Sequence, residues 1–164
     1  CPPSPSPSKD SLPFADQHDA MNAKQLPVMR HFLNGFLAPH SFGWRHAYAA
    51  ARGTWGQSRG LAIADAFQVF LAAVLQARPV PVIYADPLDL IARVRLLPDE
   101  VDILALITCM RADRVPQARM IIGRLTGGCV PASVVRSGLE LACMLEPHQS
   151  AQRPGRSPKL YTVA

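Results

Sequence analysis

Cysteine and histidine are the residue types in this sequence best suited to nucleophilic or metal chemistry, and neither forms a recognised catalytic pattern. Cys129 follows two glycines and precedes a helix predicted to begin at Pro131. A thiol near a helix start can have a lowered pKa, which makes Cys129 the candidate for a thiol enzyme or redox sensor. The five histidines include no HxH or HExxH pair, and His40 and His46 have no recognised ligand spacing. The sequence therefore predicts no metal site.

The glycine-rich and acidic stretches also lack a catalytic or phosphate-binding motif. The stretch "GTWGQSRG" at 53–60 lacks the lysine of a phosphate-binding loop and follows a predicted helix rather than a strand, so we expect a plain loop. Five carboxylates cluster along the chain, each where a helix start ordinarily has one: Asp86, Asp89, Asp99, Glu100 and Asp102. We expect no catalytic residue and no cofactor, and therefore a protein that is not an enzyme.

Length and composition indicate the domain that must position any functional residue. The chain has 164 residues, of which 49% are hydrophobic, and this suits one globular domain. Proline is concentrated at both ends of the chain. We predict a disordered Pro/Ser-rich leader at 1–24, a single helical domain at 25–146 and a disordered basic tail at 147–164. No uninterrupted run approaches the roughly 20 apolar residues of a membrane span, so none is predicted.

Apolar residues recur at helical spacing through most of the predicted domain. This periodicity predicts an all-α fold, a compact bundle of five or six short helices: 28–37, 44–52, 61–77, 98–112, 116–126 and 131–145. Pro27 suits the first turn of the first of these helices. No charged side chain occurs from Ile103 to Met110, so the helix near 98–112 is expected to be central.

The stretch between the third and fourth long helices has two alternative interpretations. Pro79 and Pro81 exclude a helix at 79–87. Beyond it, Pro87 could begin a helix capped by Asp86. The alternation of apolar and arginine residues at 91–96 instead suits one tiny β-hairpin near 80–96.

A basic and aromatic stretch at 28–59 is the predicted contact surface. Between Asp19 and Asp65 there is no acidic residue, whereas five basic residues and six of the 11 aromatic residues lie there. Exposed aromatic and arginine side chains often carry interface energy. We therefore expect a non-catalytic binding protein with a regulatory or adaptor role and a protein partner, with these contact residues: Arg30, Phe36, Trp44, Arg45, Arg52 and Trp55.

A nucleic-acid-binding regulator is the alternative, because arginine beside exposed aromatic rings also suits single-stranded nucleic acid. The stretch "RADRVPQARMIIGRLTGG" at 111–128 could complete a helix-turn-helix, with Arg114, Gln117 and Arg119 as contacts. However, the second helix is mostly apolar, and residues 98–146 hold five basic against six acidic residues. A plain helical hairpin is therefore the favoured interpretation.

The remaining cysteines and the chain start bear on localisation. Cys109 and Cys143 lie in apolar helical runs, where free thiols behave as small hydrophobes, and reduced cysteines suit the cytoplasm. Cys1 before a Pro/Ser tether resembles a mature bacterial lipoprotein, which would make this a lipid-anchored envelope protein. An added leader, or translation begun upstream of a native start at Met21, is the favoured explanation. The richness in alanine and arginine is typical of a high-GC bacterial genome.

Overall fold

Six α-helices account for most of the backbone in the computed structural model, which describes residues 12–146 and the side chains of residues 20–146. The helices are α1 (Leu12–Leu37), α2 (Gly43–Trp55), α3 (Gln57–Ala77), α4 (Pro98–Arg111), α5 (Val115–Thr126) and α6 (Ala132–Leu145). Two short 3₁₀ turns occur at Pro39–Ser41 and Ala92–Val94, and the described residues contain no strand. The predicted all-α class is confirmed. Cys1, most of the predicted leader's first half and the predicted tail at 147–164 lie outside the described residues.

The core forms where α3 and α4 meet the other helices. α3 packs against α1, α2, α5 and α6, and α4 packs against α1, α5 and α6. The largest fully buried side chains include Phe67 on α3 and Ile103, Leu106 and Ile107 on α4. Pro98 and Val101 on α4 are exposed, and Ala105 and Thr108 are half-buried, so this helix fills the bundle along one broad face rather than on every side.

The first helix begins earlier than the sequence pattern predicts. α1 starts at Leu12, so the assignment of residues 12–24 to a disordered leader is wrong. Pro27 lies inside α1 rather than in its first turn, and it is exposed. Because proline has no N–H, it removes one backbone hydrogen bond from the helix. The residues before it are good helix formers such as Ala23 and Lys24, and they extend the helix through the proline.

The predicted loop at 53–60 is instead the junction of two helices. Only Gly56 interrupts them, with a φ of 86° that favours glycine. Gly60 serves a different purpose, because a Cβ there would lie 2.5 Å from the carbonyl O of Ala51 on α2. The glycines of this stretch therefore turn the chain and bring α2 against α3.

The connection between α3 and α4 contains neither of the two predicted alternatives. Residues 78–97 form turns and the single 3₁₀ turn at Ala92–Val94, so the tiny hairpin near 80–96 and the helix from Pro87 are both wrong. Several of its backbone groups pair with side chains from α1 and α4, and others pair within the connection itself. A sequence pattern of period 2 or 3.6 does not report such pairings.

Candidate interaction surfaces

Arg30 and Glu100 form an ion pair inside the protein. Arg30 on α1 is 3% exposed, and Glu100 in the first turn of α4 is fully buried. The Arg30 Nε donates to Glu100 Oε1 at 2.6 Å and Nη2 donates to Oε2 at 2.8 Å, which is the bidentate geometry of a strong arginine–carboxylate contact. The prediction that Arg30 belongs to a partner-binding surface is therefore wrong, because a buried carboxylate already pairs with its charge.

Arg30 also fixes the connection at 78–97. Its Nη1 donates to the carbonyl of Arg93 at 2.6 Å, and its Nη2 donates to the carbonyl of Arg95 at 2.5 Å. Buried carbonyls need partners, and this connection has no strand to supply them. The guanidinium therefore supplies the hydrogen bonds that a neighbouring strand or a helical turn supplies elsewhere.

Glu100 holds the same connection through its N–H groups. Oε1 accepts the N–H of Ala85 at 3.1 Å, and Oε2 accepts the N–H of Leu97 at 2.9 Å. The bond to Leu97 is the capping contact typical of a glutamate at the third position of a helix. The sequence predicts only an ordinary role at the helix start for Glu100, since the pairing with α1 arises 70 positions away in the chain.

Two further contacts fasten this connection to the bundle. Asp99 accepts a hydrogen bond from Arg78 at 2.8 Å and another from the N–H of Ile83 at 2.7 Å. The hydroxyl of Tyr84 donates to Oδ1 of the buried Asn34 on α1 at 3.1 Å. Residues 78–97 therefore have a defined conformation in spite of their irregular backbone.

Four large apolar side chains are exposed where α1 ends and α2 begins, and we call them the corner surface: Phe36, Leu37, Phe42 and Trp44. Gly35 and Gly43 bring the two helices together there, since a Cβ on Gly43 would lie 2.6 Å from the backbone N of Gly35. Phe42 is 56% exposed and Trp44 is 51% exposed. The corner surface includes two predicted contact residues, Phe36 and Trp44.

Phe42 has a strained backbone. Its φ of 52° and ψ of 30° place it in the left-handed region, which costs an L-residue other than glycine about 1–2 kcal/mol. Its carbonyl accepts the N–H of Arg45 at 2.9 Å as α2 begins. Strained residues cluster at functional sites. A contact between the exposed Phe42 ring and a partner would explain why the protein keeps this strained conformation.

The other predicted contact residues lie on α2. Arg45 and Arg52 are exposed, whereas Trp55 is partly buried against the core. Part of the Trp55 side chain therefore packs inside the protein, and its role as a contact stays a prediction. Between them, Tyr48 donates a hydrogen bond to Oε1 of Gln68 at 3.0 Å, and burial followed by the charge of Asp65 raises the pKa of Tyr48.

A pair of histidine rings stacks beside the corner surface. The ring centroids of His31 on α1 and His46 on α2 are 5.4 Å apart. Burial, and next the proximity of His46, lowers the pKa of His31, while Asp86 acts in the opposite direction. A lowered pKa keeps His31 neutral at pH 7, so it adds no charge to the surface.

A shallow groove continues from the corner surface between α3 and α6. It has a volume of about 520 Å³ and begins at Phe36. Its lining includes the half-exposed Val69 and three charged residues, Asp65, Arg136 and Glu140. These charges are of both signs, and the exposed surface of the groove is mostly apolar. The groove therefore extends an apolar contact area.

The largest set of exposed aliphatic side chains lies in residues 86–96, which we call the aliphatic segment. Its exposed members are Leu88, Leu90, Ile91, Val94 and Leu96. Contiguous apolar surface of this kind marks interaction sites in soluble proteins. The sequence pattern does not predict this surface, because aliphatic residues in a predicted hairpin or helix are expected to be buried. The string "LDLIARVRL" was the one indication of it.

The α4–α5 hairpin presents the predicted nucleic-acid contacts without concentrating positive charge. Arg114, Gln117 and Arg119 are all exposed. Arg124 on the same helix pairs with Asp102 at 2.5 Å, which raises the pKa of Arg124. Residues 98–126 hold four basic and four acidic residues, so this hairpin has no excess of positive charge to attract phosphates.

The cysteines differ in exposure. Cys109 is buried, as the sequence predicts, whereas Cys129 and Cys143 are exposed. The assignment of Cys143 to the apolar interior is wrong, because it lies on the outer face of α6 beside Leu139 and Met144. No group of three or more His, Cys, Asp or Glu residues that could hold a metal ion occurs among the described residues.

Thiol labelling is expected to follow this exposure. With a maleimide reagent, Cys129 and Cys143 should react at similar rates and Cys109 at least about 10-fold more slowly, since a buried thiol must wait for local opening. Peptide mapping by mass spectrometry at successive times measures the rates. A Cys129 that reacts far faster than Cys143 would contradict this expectation and would favour an activated thiol.

One described helix, α3, is long and apolar enough to cross a membrane by length and composition. Half of its apolar window is buried within the bundle, and α3 packs against four other helices. It therefore gives no clear membrane-spanning segment. No protein-family model, curated protein or solved structure matches this chain.

Proposed function

We propose that this protein is a non-catalytic helical binding protein with a regulatory or adaptor role, and that a partner protein docks on the corner surface. The partner contributes an apolar segment flanked by carboxylates. The observation that carries this proposal is the exposed aromatic set at the α1–α2 corner, with Phe42 kept in a strained conformation. Rigid aromatic side chains are the residues that most often carry interface energy.

The charge around the corner surface supports an acidic partner. The sequence has no acidic residue between Asp19 and Asp65, and Arg45 and Arg52 are exposed on α2, the helix that begins at the corner surface. Opposite charge across an interface raises the association rate and fixes the orientation of the partner. The groove beyond Phe36 gives the apolar part of such a segment room to continue.

The other two arginines of the basic stretch form hydrogen bonds within the protein, and this favours a protein partner over nucleic acid. Arg30 pairs with Glu100, and Arg59 donates to the carbonyls of Met144 and Glu146 at the end of α6. This leaves Arg45 and Arg52 as the exposed arginines of the basic stretch, whereas nucleic-acid affinity depends on neutralising several phosphates.

Selection from a phage-displayed library of random short peptides tests the proposal on the full chain. We expect the selected peptides to combine aromatic or aliphatic residues with Asp or Glu. Trp44→Ala should weaken their binding about 30-fold, which corresponds to the 2 kcal/mol of an interface hot spot. Fluorescence anisotropy with a labelled peptide measures the affinity, and a thermal melt checks the fold.

Met120→Ala is the matched control. Met120 is also a large exposed apolar residue, 58% exposed on α5, and its replacement should leave peptide binding unchanged. Equal binding by the Trp44 and Met120 variants would refute the corner surface as the docking site. Tight binding of a labelled single-stranded oligonucleotide that weakens steeply with salt would instead support the nucleic-acid alternative.

The Phe42→Gly variant distinguishes the effect of the Phe42 ring on peptide binding from the effect of its strained backbone on stability. Glycine adopts the left-handed conformation without strain, so this variant should be more stable than the parent by about 1 kcal/mol. It should nevertheless bind the selected peptides more weakly, because the ring is gone. A gain in stability with unchanged binding would mean that Phe42 does not contact the partner.

A further inference from the structure

Ile91 and Val94 have the most exposed side chains of the aliphatic segment. Leu90 is 66% exposed and Ile91 is 78% exposed, followed by Val94 at 79%. Moving large aliphatic side chains from water into an interface is favourable in proportion to the apolar area that is buried. Covering this segment would therefore release substantial free energy.

The charges of the segment are ordered along the chain. Asp86 and Asp89 precede the apolar centre, and Arg93 and Arg95 follow it. All four are exposed, and none of them takes part in the ion pairs found within residues 20–146. The acidic pair therefore precedes Leu90 and Ile91 in the chain, and the basic pair follows them.

This order is self-complementary under a two-fold axis. In a symmetric dimer, residue i of one copy contacts residue j of the other, and residue j contacts residue i. If the axis passes near Leu90 and Ile91, Asp86 lies opposite Arg95 and Asp89 lies near Arg93. We infer that two copies of this chain associate through the aliphatic segment in an antiparallel arrangement of this kind, a contact separate from the corner surface of the proposed function.

Internal hydrogen bonds hold the aliphatic segment in a defined conformation before any association. Arg30 holds the carbonyls of Arg93 and Arg95, and Asp89 accepts the N–H groups of Ile91 and Ala92 at 2.8 Å and 3.1 Å. These backbone bonds lower the pKa of Asp89. A surface that is already ordered loses less conformational entropy on binding, so a small apolar area suffices for a stable contact.

Charge reversal in two variants tests the inference on the full chain. One variant carries Asp86→Arg with Asp89→Arg, and the other carries Arg93→Asp with Arg95→Asp. The parent chain should be a dimer in sedimentation-velocity experiments. Each variant alone should dissociate at least about 100-fold more readily, because like charges then face each other across the axis.

An equimolar mixture of the two variants should regain the dimer. Each arginine end then faces an aspartate end, whereas a variant that dissociates because of misfolding would not be rescued by mixing. Asp86→Asn with Asp89→Asn keeps the turn hydrogen bonds and removes the charge, so it should dissociate less readily than the reversed form. Arg45→Asp with Arg52→Asp, on α2, should leave the dimer intact.

A parent chain that stays monomeric at high micromolar concentration would overturn the inference. So would a dimer that survives both charge reversals, or a mixture that remains monomeric. Peptide binding at the corner surface is measured separately, and the Trp44→Ala variant should still form the dimer. The two proposals can therefore fail independently.

Discussion

Glu100→Ala should lower the free energy of unfolding by about 3–5 kcal/mol, the loss typical of breaking a buried ion pair. The substitution leaves the Arg30 guanidinium buried without its carboxylate. It also leaves the N–H groups of Ala85 and Leu97 without an acceptor. Urea denaturation followed by far-ultraviolet circular dichroism measures the change. Because the aliphatic segment is held by the same pair, dimerisation should weaken as well.

A control lies on the same helix. Asp102→Ala breaks an ion pair with Arg124 that is solvent-accessible, and we expect a far smaller loss because surface pairs contribute little. Replacing both buried partners, with Arg30→Met and Glu100→Leu, should be less damaging than the sum of Glu100→Ala and Arg30→Ala, since no unpaired charge remains. Strict additivity of the two single losses would mean that the pair is not coupled.

The two proposed contacts would act together in an adaptor. A two-fold dimer through the aliphatic segment carries two corner surfaces, one from each copy. A partner with two acidic, apolar segments would then bind both surfaces, and the second contact would form at a high effective concentration. Such a protein needs no catalytic group, because its effect comes from bringing two segments together.

The helices were predictable because each contains enough apolar residues at regular spacing to define a buried face. The stretches around Ile63–Val74 and Ile103–Met110 predicted α3 and α4 close to their observed positions. The start of α1 was not predictable in this way, because its residues before Pro27 have no regular apolar spacing and the proline suggested a helix start. Helix propensity alone indicated the continuation.

The candidate surfaces were harder to predict, because they depend on which side chains the fold leaves outside. Trp44 and Arg45 are exposed on α2, whose other face packs on α1 and α3, and the sequence pattern by itself does not distinguish this exposure from burial. Arg30 was placed wrongly, because a single arginine among apolar residues has the same pattern whether it faces water or a buried glutamate. The aliphatic segment was missed because its conformation is set by that buried pair.

Gly60→Ala should destabilise the protein by about 3 kcal/mol, at the upper end of the cost of overpacking. The added Cβ would lie 2.5 Å from the carbonyl O of Ala51 and 2.6 Å from the Cα of Arg52, and neither backbone atom can move aside by rotating a side chain. α2 and α3 would have to separate, which also opens the packing around the buried Ala51. The free energy of unfolding, measured in urea, checks this expectation.

Gly53→Ala is the matched control, and its expected effect has the opposite sign. Gly53 lies on α2 near the same junction, is exposed, and has no atom within 4 Å of an added Cβ. Alanine is a better helix former than glycine, so this variant should gain about 0.5–1 kcal/mol. If the two alanines changed stability in the same direction, helix propensity rather than the α2–α3 approach would explain Gly60, and the close packing of these helices would have to be rejected.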